Sequence, residues 1–508
     1  MKKNNAERAE MPALVQALLG LLAAHAGLYR QQRVQRRVVS LVIGELFAFG
    51  RRTVTQGLLA LGLWECDWSA WYRLFSCGRF DEAGAGGVLL RESLAHVAVE
   101  EPYVVGTDGV RIPRSSKTLA GTSWLPALGT AFFQRGLQRA QRFVHGAWLT
   151  PLEGGYSRAI PLRFVPAFPA KAVAAEEGVG KAVTKVAACR EWEAGLSFVR
   201  WVRTQLDAAG REQQWLLWLA DGSFDVLGLW RQLPARCILV VRTARNRALF
   251  ALPPSKTARA GQVGRPPSYG DQALSPAAWL RQRKGWTQLD VPVRGAMRRM
   301  RYRVEGPFVR ADLPERVLFL IIIGGSTRQV GKRHPKWQKV QPCFYLVNAV
   351  PTTFTPGLAE NLAENLVSTD DVTWQLPLPI PTLLAWLWQR WELEVAHREM
   401  KSELGVGEIQ CWNLRAAVLS VQWSAWCYAL LLFAGYRTWG ICRQPLPTPR
   451  WQQHVRRWSV ATLLRALRAA LWHNPQFRTA WSPSTDNWAD IDAWLAVSAN
   501  AAAFSTRL

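Results

Sequence analysis

Three acidic residues stand where the surrounding pattern would put a carboxylate to work. Asp108 follows the short apolar run Tyr103-Val104-Val105-Gly106-Thr107, and Asp221 follows Trp215-Leu216-Leu217-Trp218-Leu219-Ala220. Each is followed by glycine. An apolar strand that ends in Asp-Gly exposes its carboxylate at the rim of a sheet, where the active sites of α/β sheets lie. It can equally be an ordinary turn, because Asp-Gly is common turn chemistry. The third residue, Glu394, lies in a helical stretch. At about 100° per residue, Arg390, Glu394, His397 and Lys401 share one face, while Glu392 and Glu399 fall on the far side. A carboxylate flanked by cations suits a phosphate-reading surface, and the competing reading is an i,i+4 ion-paired helix face.

Other donors are scarce. None of the 8 cysteines forms CxxC, and the 7 histidines show no ligand spacing. This argues against structural zinc and a disulfide scaffold and fits a reducing cytoplasm. Lys and Arg number 63 against 37 Asp and Glu, a formal charge of +26. A chain so basic points first to nucleic acid and second to an anionic membrane surface. Its 27 Trp against 9 Tyr put flat aromatic faces among those cations, which suits base stacking, although most tryptophans are core. With 49% hydrophobic residues the chain can bury large cores.

The elements that would position these residues change in kind along the chain. Residues 11–95 read as helical, with apolar runs alternating with Arg30, Arg33, Arg36, Arg37, Arg51 and Arg52. Residues 11–29 resemble a signal peptide in apolarity, but Glu7 and Glu10 spoil its basic start, and a helix is expected instead. From residue 101, strand runs alternate with helical ones (103–107, 162–168, 215–220 and 237–242, with helix over much of 171–208), which indicates an α/β layer. Residues 252–278 form a Pro- and Gly-rich cationic loop. Strand-like runs at 287–293, 300–304 and 317–323 follow, laced with Arg294, Arg298, Arg299, Arg301 and Arg303, and then a basic loop at 328–339. The run 343–350 is a further strand, and helix is expected from residue 382 to about 440. The charge-free run between Arg415 and Arg437 is long enough to span a bilayer. Its Ser420, Gln422, Ser424 and Tyr428 favour a helix buried in a large core.

At residues 386–411 the chain resembles a known family. Arg390-x3-Glu394-x6-Lys401, continued by Leu404-Gly405 and Gln410, is similar to the signature of bacterial insertion-sequence transposases of the cut-and-paste, YREK type, within the DDE superfamily. The signature tyrosine would fall at position 387, where this chain has Leu387 between Trp386 and Trp388. The resemblance implies an α/β fold with an RNase H-like mixed sheet, flanking helices, a β-rich insertion before the catalytic-Glu helix, and an N-terminal helical domain. The implied boundaries are a helical DNA-binding domain at 1–98, core at 99–250, insertion at 251–340, the second part of the core at 341–440 and a C-terminal helical region at 441–508.

The resemblance also assigns roles. Asp108, Asp221 and Glu394 would be catalytic and would ligate two Mg²⁺ ions, for which Mn²⁺ can substitute. Asp225 is a rival to Asp221. Arg390, Trp391, His397, Lys401, Arg298, Arg299 and Arg301 would bind DNA, with Trp391 near a flipped base. Two such ions about 3.5–4 Å apart activate the nucleophile and stabilise the leaving oxygen, and hard ions of this kind want carboxylates. The expected activity is a cytoplasmic DNA transposase that cuts an insertion sequence at its ends and joins them to target DNA. Its partners would be double-stranded DNA and a second copy of the chain on that DNA, with no membrane. The alternatives are an RNase H-like nuclease that cuts without joining and a non-catalytic DNA-binding derivative.

Overall fold

The computed structural model describes residues 12–116, 118–127, 136–170, 187–255, 263–330, 336–352, 372–443 and 457–473. Helices α1 (Ala13–Ala24), α2 (Gln32–Phe47), α3 (Val54–Ala60), α4 (Ser69–Ser76) and α5 (Glu82–Ser93) open the chain. Then come β1 (Tyr103–Pro113), β2 (Thr122–Pro126), β3 (Leu137–Leu149), β4 (Ala159–Pro166), α6 (Glu191–Ala208), β5 (Leu216–Ala220), α7 (Leu227–Arg231) and β6 (Cys237–Arg242). After α8 (Pro276–Arg281) come β7 (Thr287–Val293), β8 (Ala296–Arg310), β9 (Leu313–Ile323), β10 (Ser326–Val330), β11 (Lys336–Val340) and β12 (Cys343–Asn348). The last described elements are the β13 (Val350–Pro351) and β14 (Trp374–Gln375) pair, α9 (Ile380–Leu387), α10 (Trp391–Glu403), α11 (Leu414–Trp439) and α12 (Val460–His473).

A 10-stranded mixed sheet runs β2-β3-β1-β5-β6-β12-β9-β8-β7, with β4 following β2 along the same edge of β3. Within it β1, β5 and β6 are parallel neighbours, and the remaining ladders are antiparallel. Every residue of β5 is buried, as expected of a parallel strand covered on both faces. The order β4-β3-β1-β5-β6, with helices on both faces, is consistent with an RNase H-like core.

Two expectations change in the structure. First, β1 does not end at Asp108. Its ladder with β3 continues from Asp108 opposite His145 to Pro113 opposite Ala140, so Asp108-Gly109 is extended strand rather than a turn. Second, the basic stretch expected as a loop contains the paired strands β10 and β11. The arginine-laced strands extend the central sheet, because β12 pairs with β6 and β9, and β8 and β7 follow. The first half of the helix expected over 171–208, the tip of the 252–278 loop and most of the C-terminal region lie outside the described residues.

The charge-free run is α11, whose apolar window is 94% buried inside the protein. Its Ser420, Gln422 and Tyr428 have internal partners. The Gln422 side chain accepts from the Phe164 N–H and donates to the Phe164 carbonyl, and Ser420 donates to the Ala417 carbonyl. The N-terminal helices pack on this core. Leu14, Val15, Leu18, Leu21 and Leu22 recur at helical spacing and bury one face of α1, which packs on α11. The α2 carboxylate Glu45 accepts from the Trp423 indole. Of the expected basic face, Arg30, Arg33, Arg36 and Arg51 are wholly or largely in solvent, but Arg52 is buried.

Candidate active site

The site is built where β1 outruns its parallel neighbour. Gly106 pairs with Leu219 in the last step of the β1–β5 ladder. Asp108 lies two residues further along β1, and Asp221 directly follows the end of β5, near enough for its charge to act on Asp108. Helix α10 lies against β1 at Gly106. A Cβ there would approach the Leu393 Cδ1 to 2.8 Å, so the glycine sets how close the helix can come. Leu393, Ala396 and Met400 bury one side of α10. Its C-terminus is closed by Gly405 in the left-handed region at φ +61°, with the Val406 N–H donating to the Met400 carbonyl at 3.1 Å.

Arg390 ties the cluster together. Its guanidinium lies 2.7 Å from Glu394 Oε1 and 3.9 Å from Asp108 Oδ2. Burial alone would lower the Arg390 pKa, but Asp108, Asp221 and Glu394 together hold it above the ordinary value. Burial pushes Asp108 up to about 6; Arg390 opposes this, while Glu394 and Asp221 add to it. Two carboxylates thus share one guanidinium, with a third near enough to act on its charge, which leaves a local excess of negative charge. With side chains in these positions, no group of three His, Cys, Asp or Glu is arranged to hold a metal ion among the described residues. Arg390 lies between two of the carboxylates instead.

The far side of α10 is anchored. Glu392 is 2% exposed and pairs with Arg457 at 2.7 Å. Glu399 accepts from the Tyr428 hydroxyl at 2.8 Å and lies 3.6 Å from the Arg158 guanidinium, which in turn stacks 4.3 Å over the Trp458 ring. On the near side, Lys401 is exposed and His397 half-buried. Burial, with Lys401 adding, lowers His397 to about 4, so at neutral pH it carries no charge. It faces His145, fully buried opposite Asp108, with neither ring nitrogen bonded. In place of the signature tyrosine, Leu387 is buried beside buried Trp386, and the Trp388 indole donates to the Met300 sulfur at 3.0 Å.

Trp391 is 46% exposed, with the Arg294 guanidinium 5.9 Å from its ring centroid. Arg294 and Gly295 form the two-residue turn between β7 and β8, both at positive φ. The grouped arginines of β8 separate by strand alternation. Arg298 shares the Met300 face, toward Trp388. Arg299 and Arg301 project from the other face, where Arg299 pairs with Asp290 and Arg301 stacks on Trp286 at 4.0 Å. Asp225, the rival to Asp221, is a buried structural acid that accepts from Trp230, Thr243, Arg247 and Arg310.

The sequence names Arg294 only within the basic stretch 294–303 and Arg457 only within a basic C-terminal region expected as an interface or DNA contact, and it gives no sign of His145 or Glu191. Glu191 begins α6 beneath Gly109 and accepts from Ser223 at 3.1 Å. The one local signal was Arg294-Gly295 between apolar runs, a hairpin turn that re-aims its arginine.

A sequence profile described as DDE superfamily endonuclease matches residues 25–306. The match takes in Asp108 and Asp221 and stops before α10. No curated protein matches the chain.

Proposed function

The chain belongs to the DDE superfamily endonucleases, and on that premise we propose that it is a cut-and-paste DNA transposase with Asp108, Asp221 and Glu394 as its catalytic carboxylates. One observation carries the reading: Asp108 of β1 and Glu394 of α10, far apart in sequence, meet at the Arg390 guanidinium at 3.9 and 2.7 Å, beside the end of β5 that Asp221 follows. DDE endonucleases work on DNA with divalent metal ions. The donor set here suits such ions, being all carboxylate oxygen with more negative charge than one arginine balances. Asp108, Asp221 and Glu394 would hold two Mg²⁺ ions, which when bound polarise the phosphate and lower the pKa of a water.

The chain's own residues do the rest. Arg390 keeps the carboxylates together in the resting site and is placed to turn to a DNA phosphate. Arg294, Arg298 and Lys401 supply cations around it, and Trp391 presents a ring at the start of the same helix. In the cutting step a water oxygen attacks the scissile phosphorus and the 3′ oxygen leaves as a hydroxyl. In the joining step that 3′-hydroxyl attacks a target phosphodiester, forming one P–O bond as another breaks. The test is incubation with Mg²⁺ and a plasmid carrying the DNA that surrounds the coding sequence. Joined products with newly linked 3′ ends support a transposase, whereas nicking without joining reduces the activity to that of a nuclease.

A further inference from the structure

Two tryptophans stand in solvent beyond the carboxylates, at the end of the site away from Trp391. Trp412 is 83% exposed and Trp124 63%, and Leu137 near Trp124 is 66% exposed. No ring or guanidinium stacks on either indole among the described residues. Apolar surface gathered in this way marks a binding site more often than chance.

Their placement follows from the sheet. Directly paired residues share a face, and alternate residues of one strand do too. Asp108 pairs with His145 on β3, and six residues back along that strand Arg139 pairs with Trp124. Trp124 and Arg139 therefore project from the same face as Asp108, about 20 Å along the strand. Trp412 is pinned to this end by Arg114, whose guanidinium donates to the Ile409 and Ala417 carbonyls at 2.9 and 2.6 Å. The Ser115 N–H adds a bond to Gln410 at 3.2 Å. Helix α10 runs alongside β1, with Leu393 over Gly106 and Gly407 over Ile112. Trp391 and Arg294 thus lie at one end of the carboxylate cluster, and Trp412 and Trp124 at the other.

We propose that Trp124 and Trp412 form a second DNA subsite, which takes unpaired nucleotides of the strand flanking the cut. The bases stack on the two indoles, and Arg139, whose Nε is held by Thr122 at 2.7 Å, meets the backbone. Charge complementarity selects the occupant: the chain carries +26, and a cation lies beside the aromatic surface, as single-strand platforms require. That the strand is the flank rests on the cutting role of Asp108, Asp221 and Glu394; the stacking itself does not.

The probe is a fluorescein-labelled 20-base-pair duplex, blunt or carrying a ten-nucleotide oligo-dT 3′ arm, titrated by anisotropy in EDTA so that no cutting intervenes. The arm should raise the affinity of the natural protein about tenfold or more. Trp124→Ala/Trp412→Ala should abolish that gain and leave blunt-duplex affinity unchanged within about twofold. Both residues are solvent-exposed, so an unchanged melting temperature verifies the fold. The same gain in Asp108→Asn separates this subsite from catalysis. An arm that adds nothing to the natural protein, or a gain that survives both substitutions, overturns the proposal.

Discussion

At the scale of single residues, the cluster costs the protein stability. Asp108 is held at about 6 by burial, against Arg390 and with Glu394 and Asp221 adding to the shift. Its folded value lies above its unfolded one of about 3.9. Ionising it in the folded protein therefore takes stability away as pH rises from about 4 to 6, and the cost stays constant above that. Asp108→Asn is expected to make the metal-free protein more stable by about 1–2 kcal/mol at pH 7.5, with the gap closing by pH 4. Denaturant unfolding at the two pH values checks this. A variant less stable than the natural protein at pH 7.5 would mean that the Arg390 contact outweighs burial. Asp225 shows the opposite use of a carboxylate: four donors surround it, and nothing is left over for chemistry.

At the scale of elements, α10 is the part that must not move, and it is fixed from behind. Arg457→Met leaves Glu392 buried without its partner and should cost about 3 kcal/mol, most of it recovered in Glu392→Gln/Arg457→Met. Equal losses in the single and double variants would show that the pair is not coupled. At the front of the helix, a base stacking on Trp391 should gain about 1–3 kcal/mol. Trp391→Ala should then slow cleavage of a pre-nicked DNA end more than first nicking, and equal slowing would leave Trp391 as a packing residue. The Arg390–Glu394 pair was legible in the sequence because i,i+4 spacing is local, as were β5 and β6 as unbroken apolar runs. The extension of β1 past Asp108 was not legible, since its hydrogen bonds come from β3, 27 to 35 residues away. For the same reason nothing in residues 287–323 signalled that those strands would join the central sheet. Arg457 could not be matched to Glu392, because charges that meet through the fold leave no spacing to read.

At the scale of the whole molecule, one sheet carries the two aspartates, the hairpin bearing Arg294 and the edge bearing Trp124, while α11 locks the N-terminal helices onto it. The parts that would read DNA and the part that would cut it therefore share a core, which suits a site that must hold DNA in register with three carboxylates. The net charge of +26 should make DNA binding fall steeply with salt, with a log–log slope of about −0.9 per phosphate neutralised. Anisotropy titrations from low to moderate salt measure that slope, and a flat response would give the charge another purpose. The most direct test of the account is Mg²⁺-dependent cleavage of a supercoiled plasmid by Asp108→Asn, Asp221→Asn and Glu394→Gln, each measured beside its DNA affinity. The account predicts that every variant loses cleavage while binding DNA at least as tightly as the natural protein. Any one of them cutting at the natural rate would remove that residue from the catalytic set and contradict the reading of the cluster.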